Sequence, residues 1–197
     1  MKVGVVSDTH GFFDARLEEL LAGVELVLHA GDVGKQEVLQ ELERIAPVRA
    51  VRGNVDPPQL DLPLTSTVQV GGLQAELLHV LPSAQTDLEK WANPAREREA
   101  GARARDTFLR AFERHTRVVI FGHSHVPCAV ALHGRLFFNP GSAGKQRFSL
   151  PRCCGLLEVT ANRVEATILS LQRYNRKLPH KVLQIGEEVA LSPDVAR

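Results

Sequence analysis

The sequence predicts an α/β fold, with a parallel-rich first half and hairpins in the second. Three observations predict it. Short, nearly continuous apolar runs alternate with amphipathic stretches over residues 2 to 54, which is how a parallel sheet covered on both faces reads. After residue 64, glycine-centred turns separate paired β-type runs. The apolar fraction of 44% over 197 residues suits one domain with a full core.

The elements follow in order. "KVGVVSD" is β-rich, "FFDARLEELLA" (12–22) places apolar residues at helical spacing, and "VELVLHAGD" is again a strand. "GKQEVLQELERIA" is an amphipathic helix with apolar residues at 38, 39, 42 and 45, Pro47 ends it, and "VRAVRGN" is a third strand. "TSTVQVGGLQAELLHV" is a hairpin around Gly71-Gly72, and "PCAVALHGRLFFN" and "CGLLEVTANRVEATILSL" are two more. Between the hairpins lies one long helical segment, about residues 84 to 116, with the single tryptophan, Trp91. No repeat, low-complexity tract or Ser/Gly linker interrupts residues 1–172, so they are read as one domain carrying a helical insert at about 84–116. Residues 173–197 form a C-terminal extension, either docked or a partly ordered tail.

Charge and cysteine content exclude several functions. Lys plus Arg (24) nearly cancels Asp plus Glu (23), so no global positive field favours a nucleic acid or an anionic membrane. Only five residues separate Lys2 from Asp8, too few for a signal peptide, and no apolar run reaches membrane-spanning length. A cytoplasmic location and no membrane partner are expected. Three cysteines (Cys128, Cys153, Cys154), without C-x-x-C spacing, read as core thiols rather than a disulfide framework or zinc knuckle.

What the strands end on carries the chemistry. The ends are Asp8-Thr9-His10, Gly31-Asp32, Gly53-Asn54, His79 and Gly122-His123-Ser124-His125. In an open α/β sheet the carboxyl ends of parallel strands share one edge, where ligands bind. Seven donors, Asp8, His10, Asp32, Asn54, His79, His123 and His125, thus converge on one rim. Carboxylate, amide and imidazole donors suit borderline divalent ions such as manganese, iron, nickel or zinc. Seven are too many for one ion and enough for two sharing a carboxylate. The glycines before Asp32, Asn54 and His123 permit close backbone approach. Alone, D-x-H and Gly-Asp are ordinary, and His79 on an apolar strand reads as a core histidine; only the ordered set argues for metal.

"SDTHG", "HAGDV", "RGNVD", the histidine of "ELLHV", "FGHSHVP" and "FFNPGSAG", in this order, resemble the calcineurin-like metallophosphoesterase superfamily, in particular its small bacterial and archaeal phosphodiesterase branch, to which Vps29 is related. The resemblance runs from residue 1 to about 170. It implies a four-layer α/β/β/α sandwich and a dinuclear centre, with Asp8, His10 and His125 on one ion, Asn54, His79 and His123 on the other, and Asp32 bridging. Water activated between two dications, manganese first among them, would attack phosphorus in line with the leaving oxygen, with Asp32, Asn54, His79 and His123 as the catalytic set. His29, just before the Gly-Asp turn, is expected buried in its strand, with support of a metal ligand as the lesser alternative, and "NPGS" (139–142) is a turn that would also orient His123 or His125.

Two departures bear on activity. Larger members of the family resembled have a histidine after Gly-Asn, where this chain has Val55; the small branch commonly reads His-Gly-His where this chain has His79-Val80-Leu81. Both usual positions of a protonating imidazole are therefore apolar. From Lys90 to Arg117 eight basic residues (Lys90, Arg96, Arg98, Arg103, Arg105, Arg110, Arg114, Arg117) stand against four acidic ones. They read as a solvated helical face with pairs such as Glu99 and Arg103, or as a cap whose arginines, Arg103 among them, grip phosphate. Lys145 and Arg147, after "NPGSAG", are further candidate substrate contacts. The expectation is a metal-dependent phosphodiesterase or phosphatase acting on a small phosphate ester. The alternatives are a Vps29-like interaction module with a vestigial metal site, and a nuclease, which the near-neutral charge opposes. Val182, Leu183 and Ile185 offer an apolar strip for a homo-oligomer.

Overall fold

A computed structural model describes residues 1–93, 101–147, 149–172 and 180–184. In chain order the first half runs β1 (Lys2–Val6), α1 (Arg16–Leu20), β2 (Leu26–His29), α2 (Gln36–Glu43), β3 (Val48–Ala50), β4 (Thr65–Val70) and β5 (Leu73–Leu78). Helices α3 (Gln85–Trp91) and α4 (Ala102–Arg110) follow, then β6 (Thr116–Ile120), β7 (Cys128–Leu132), β8 (Arg135–Asn139), β9 (Cys153–Thr160), β10 (Arg163–Ser170) and β11 (His180–Gln184).

The strands make two mixed sheets, ordered β11-β10-β9-β1-β2-β3 and β4-β5-β6-β8-β7. At the centre of the first, β1, β2 and β3 are parallel, with Val6 beside His29 and His29 beside Ala50. The expected hairpins all form, β4-β5, β7-β8 and β9-β10. Yet they do not make an antiparallel second half, because β5, β6 and β8 pair in parallel. Each sheet therefore has three parallel strands whose carboxyl ends lie along one edge.

Side-chain alternation sorts the core into three interfaces. Val3, Val5, Leu26 and Leu28 point between the sheets, against Leu77, Ile120, Leu136 and Phe138. Val6 and Val27 point outward to Leu17 and Leu21 near α1 and Leu39 and Leu42 of α2. Val119, Phe121 and Phe137 point the other way, to Leu88, Trp91, Phe108 and Leu109 of α3 and α4. The period of two in a strand thus builds an α/β/β/α sandwich of four layers.

Among the described residues, the helical segment expected at 84–116 holds two helices. It stops at Trp91, two residues after which Asn93 precedes Pro94, and a residue before proline is pushed out of the α region. It stops again at Arg110, well before β6. The Glu99 to Arg103 pairing, Arg96 and Arg98 lie outside the described residues. At the other end, β11 pairs with β10 and Leu183 packs on the inter-sheet core, so this part of the extension is an edge strand. The side chain of Val182, Ile185 and the remaining tail lie outside the described residues. No helix among those described is long and apolar enough to cross a membrane.

Candidate metal centre

The rim is built from both sheets. Asp8 and His10 follow β1, Asp32 follows β2 and Asn54 follows β3; His79 follows β5, and His123 and His125 follow β6. Their polar atoms gather in two groups. In one, His125 Nε2 lies 3.3 Å from His10 Nε2 and 3.2 Å from Asp8 Oδ1. In the other, Asn54 Oδ1 lies 3.0 Å from both His79 Nε2 and His123 Nδ1. Asp32 Oδ2 stands between them, 3.3 Å from His79 Nε2 and 3.9 Å from His10 Nε2. The imidazoles pair accordingly, with ring centroids 5.2 Å apart for His10 and His125 and 5.3 Å for His79 and His123. Asp8, His10 and His125, and likewise Asp8, Asp32 and His79, have donor atoms all within 4.8 Å of one another.

The backbone is bent to make this possible. Asp8, His10, Asp32, His123 and His125 all have positive φ, between 48° and 68°, where non-glycine residues are strained by about 1 kcal/mol or more. Among the described residues only two other non-glycine positions share that conformation, Asp61 and His133. Asp and His are among the residues that tolerate it, and strain concentrated on five rim residues is a mark of a functional site. The flanking glycines serve close approach. A Cβ on Gly53 would lie 2.0 Å from Asp32 Oδ1, and one on Gly122 would lie 2.0 Å from Ser7 Oγ and 2.8 Å from Asp8 Oδ2.

Hydrogen bonds aim the donors. Asp8 Oδ2 accepts from Ser7 Oγ (2.6 Å) and from the His123 amide (3.2 Å), which leaves Oδ1 facing the rim. That oxygen is buried and has no hydrogen-bond partner. Asp32 Oδ1 accepts from the Val55 amide, leaving Oδ2 free to face both histidines. Burial pushes the Asp32 carboxyl up, but bonds from His79 and Val55 outweigh it and hold the group below its ordinary range. His79 Nδ1 donates to Ala30 O at 2.7 Å, so Nε2 is the nitrogen presented to the rim. Burial tends to lower the His79 pKa, yet Asp32 and the Ala30 carbonyl raise it overall. His10 is lowered, first by burial and then by the charge of Arg147.

The "NPGS" turn reaches the same loop. Asn139 Nδ2 donates to Gly122 O (2.9 Å) and Ser124 Oγ (3.0 Å), and Ser142 Oγ donates to Asp8 O. His29 is fully buried, its Nε2 2.9 Å from Thr9 Oγ1. Its Nδ1 is buried without a hydrogen-bond partner, and burial lowers its pKa to about 4. Several residues that hold the rim carried no strong sequence signal. They are Ser7, Gln85, Asp56, whose carboxylate takes the amides of Gly34 and Gly53, and Arg152, which pairs with Asp14 and donates to the carbonyls of Ala143 and Gly144. Of these only Asp56, two residues past Asn54 in a turn, follows a recognisable pattern.

The cationic candidates are placed differently from one another. Arg147 is exposed and near enough to His10 to depress it. Lys145 sits over the Phe12 ring at 5.9 Å. Arg103 is exposed on α4, whose buried face packs on the outside of the second sheet; among the described residues it makes no hydrogen bond or ion pair with the rim. All three cysteines are free and buried.

The donor set fits divalent cations. A buried carboxylate oxygen without a hydrogen-bond partner, with imidazole nitrogens gathered within 4.8 Å of it, is stabilised by a cation and costly without one. Comparison with known proteins points the same way. The protein named "Probable metallophosphoesterase" of Methanothermobacter thermautotrophicus is 30% identical over 182 residues, spanning 86% of this chain and 92% of that protein. A probable metallophosphoesterase of Methanocaldococcus jannaschii is 30% identical over 162 residues, 78% of this chain and 71% of that one. Vps29 of Chaetomium thermophilum superposes with a TM-score of 0.71 at 18% identity, covering 94% of this chain and 100% of that one. Vps29 of Entamoeba histolytica complexed with zinc gives 0.66 at 22% identity, with 94% and 100% covered. At those identities the likeness shows the fold. The named relatives support a phosphoesterase hydrolase, and the rim's donors indicate divalent metal. Residues 1–162 match the calcineurin-like phosphoesterase superfamily domain, and the chain belongs to that superfamily.

Proposed function

We propose that the chain is a phosphodiesterase whose rim holds two divalent ions, manganese by preference, with nickel, iron or zinc as substitutes. Asp8, His10 and His125 hold one ion, Asn54, His79 and His123 the other, and Asp32 stands between. The observation that carries this reading is Asp8 Oδ1, buried without a hydrogen bond and facing imidazole nitrogen. Bound ions would supply positive charge to the phosphoryl oxygens and lower the pKa of water to near neutrality.

The chain's own residues do the rest. Asp32, kept ionised, offers Oδ2 to both histidine groups. The Ala30 carbonyl locks the His79 ring, and the His123 amide fixes Asp8. Arg147, exposed and with a charge that reaches His10, is the guanidinium to pair with non-bridging phosphate oxygens, and Lys145, over the Phe12 ring, is a second cation. No imidazole follows Asn54 or His79, so the leaving oxygen departs without a proton. That costs a poor leaving group on the order of 10²–10⁴ in rate and a nitrophenolate little.

The test is metal add-back. Stripped protein is assayed with manganese, nickel or zinc on nitrophenyl phosphodiesters and monoesters, beside Asp32→Ala and His79→Ala. Metal-dependent diester hydrolysis, abolished in both variants, is expected; no metal-dependent turnover in the wild type would sink the hydrolase reading. A second reading, an interaction module on the same scaffold, draws on the missing imidazoles and on a solved complex of Chaetomium thermophilum Vps29 with a cyclic peptide. Oligonucleotides are assayed alongside, and their metal-dependent cleavage would instead make it a nuclease.

A further inference from the structure

The two sides of the rim differ in chemistry. On the His10 side stands Arg147, with Lys145 and Arg152 over the Phe12 ring. Three valines, each directly after a rim residue, face solvent: Val55 (56% exposed) and Val80 (48%), after Asn54 and His79 of the other group, and Val126 (41%), after His125. One exposed valine is ordinary, but three at one rim are not.

An open groove of about 380 Å³ begins at His123, within the size range of small-molecule sites. Val80, Leu81, Pro82, Ala84 and Phe121 line it, and among the described residues no Asp, Glu, Lys or Arg does. Its polar side chains are already engaged. Ser83 Oγ donates to Asp87, Ser124 Oγ donates to Gln85 Oε1 at 2.7 Å, and Gln85 Nε2 donates to Val126 O at 3.1 Å. A base or sugar laid there would find few free partners for its own polar groups. An apolar group would lose nothing.

We propose that this groove is the subsite for one apolar ester group, aryl or short alkyl, of the phosphodiester substrate. The phosphoryl group sits on the metal rim, its oxygens turned toward Arg147, while the organic group lies along Val80, Leu81 and Phe121. His123 belongs to both the rim and the groove, so the two form one continuous site. The inference rests on the two-metal reading. An aryl occupant also fits the absent general acid, because aryl oxygens leave without a proton more readily than nucleoside hydroxyls, whereas a short alkyl occupant would be the ester group that is retained.

Methyl-, butyl- and phenylphosphonate each carry a single organic group and are not hydrolysed, so their binding reads the groove alone. Calorimetry on manganese-loaded protein is expected to show affinity rising about tenfold or more from methyl to phenyl. That gradient flattens in Val80→Ser and persists in Val80→Ile. Equal affinities along the series in the wild type, or a gradient untouched by Val80→Ser, would overturn the subsite. Failure of manganese to bind would overturn the metal reading, and the groove's role with it.

Discussion

Gly122→Ala tests how closely Asp8 is held. The new Cβ would meet Ser7 Oγ at 2.0 Å, Asp8 Oδ2 at 2.8 Å and Ala30 O at 2.9 Å, all inside van der Waals contact. Ser7 is buried and has to move, and with it goes the 2.6 Å bond that fixes Asp8. Overpacking a core site costs about 1–3 kcal/mol, and loss of a hydrogen bond to a charged group about 1.5–3 kcal/mol. A sum near 4 kcal/mol lowers the melting temperature of a domain this size by roughly 8–16 °C. Because Asp8 Oδ1 is aimed only through its partner oxygen, manganese affinity is expected to fall about 10- to 100-fold, as for loss of other supporting bonds in metal sites. Scanning calorimetry and a manganese titration measure both effects. Ser7→Ala in the same background removes the clashing oxygen, so the double variant is expected to be more stable than Gly122→Ala alone. A single variant that melts within 2 °C of wild type, by a ~1 kcal/mol criterion, and binds manganese normally would refute the reasoning.

Two further outcomes are expected. His29 is held neutral by burial, with a pKa of about 4 in the folded protein against about 6.5 unfolded. Its contribution is complete above pH 6.5 and is lost as pH falls toward 4, about 3 kcal/mol in all. Urea titrations of metal-stripped His29→Gln should therefore show a flatter profile across that window, and parallel profiles would contradict this. The three cysteines are buried, with thiols pushed up to about 12. A thiol reagent should label them at pH 8 only as fast as the chain unfolds, and rapid labelling in the native state would show the core to be more open than this structure.

Much of the fold is legible in the sequence because its signals are local. The alternation over residues 2 to 54 depends on runs of five or so residues, and β1, α1, β2, α2 and β3 form where it places them. The hairpins are equally local, since each is set by its own turn. Parallel pairing of β5, β6 and β8 is not legible, because nothing within "AELLHV" or "RVVIFG" records which distant strand will lie beside it. The seven rim residues are visible as strand ends, and the structure gathers all seven. Their grouping rests on long-range geometry, and the positive φ of Asp8 or His125 has no signature in residue type alone. The supports are harder still. Ser7 and Arg152 carry no signal of their own in the sequence, and only folding sets them against Asp8 and Asp14.

The division of the rim between the sheets has a mechanical consequence. Asp8, His10, Asp32 and Asn54 are all carried by the first sheet, and His79, His123 and His125 by the second. Each histidine group therefore straddles the seam, with His125 reaching across to His10 and His79 to Asn54. An ion in either group would act as a rivet through the sandwich, opposing any sliding of one sheet over the other. Loading the site should thus slow hydrogen exchange in β1 and β6, the strands that lead into Asp8 and His123, and a protein that lets the ions go would become measurably softer in shear before it lost any of its strands.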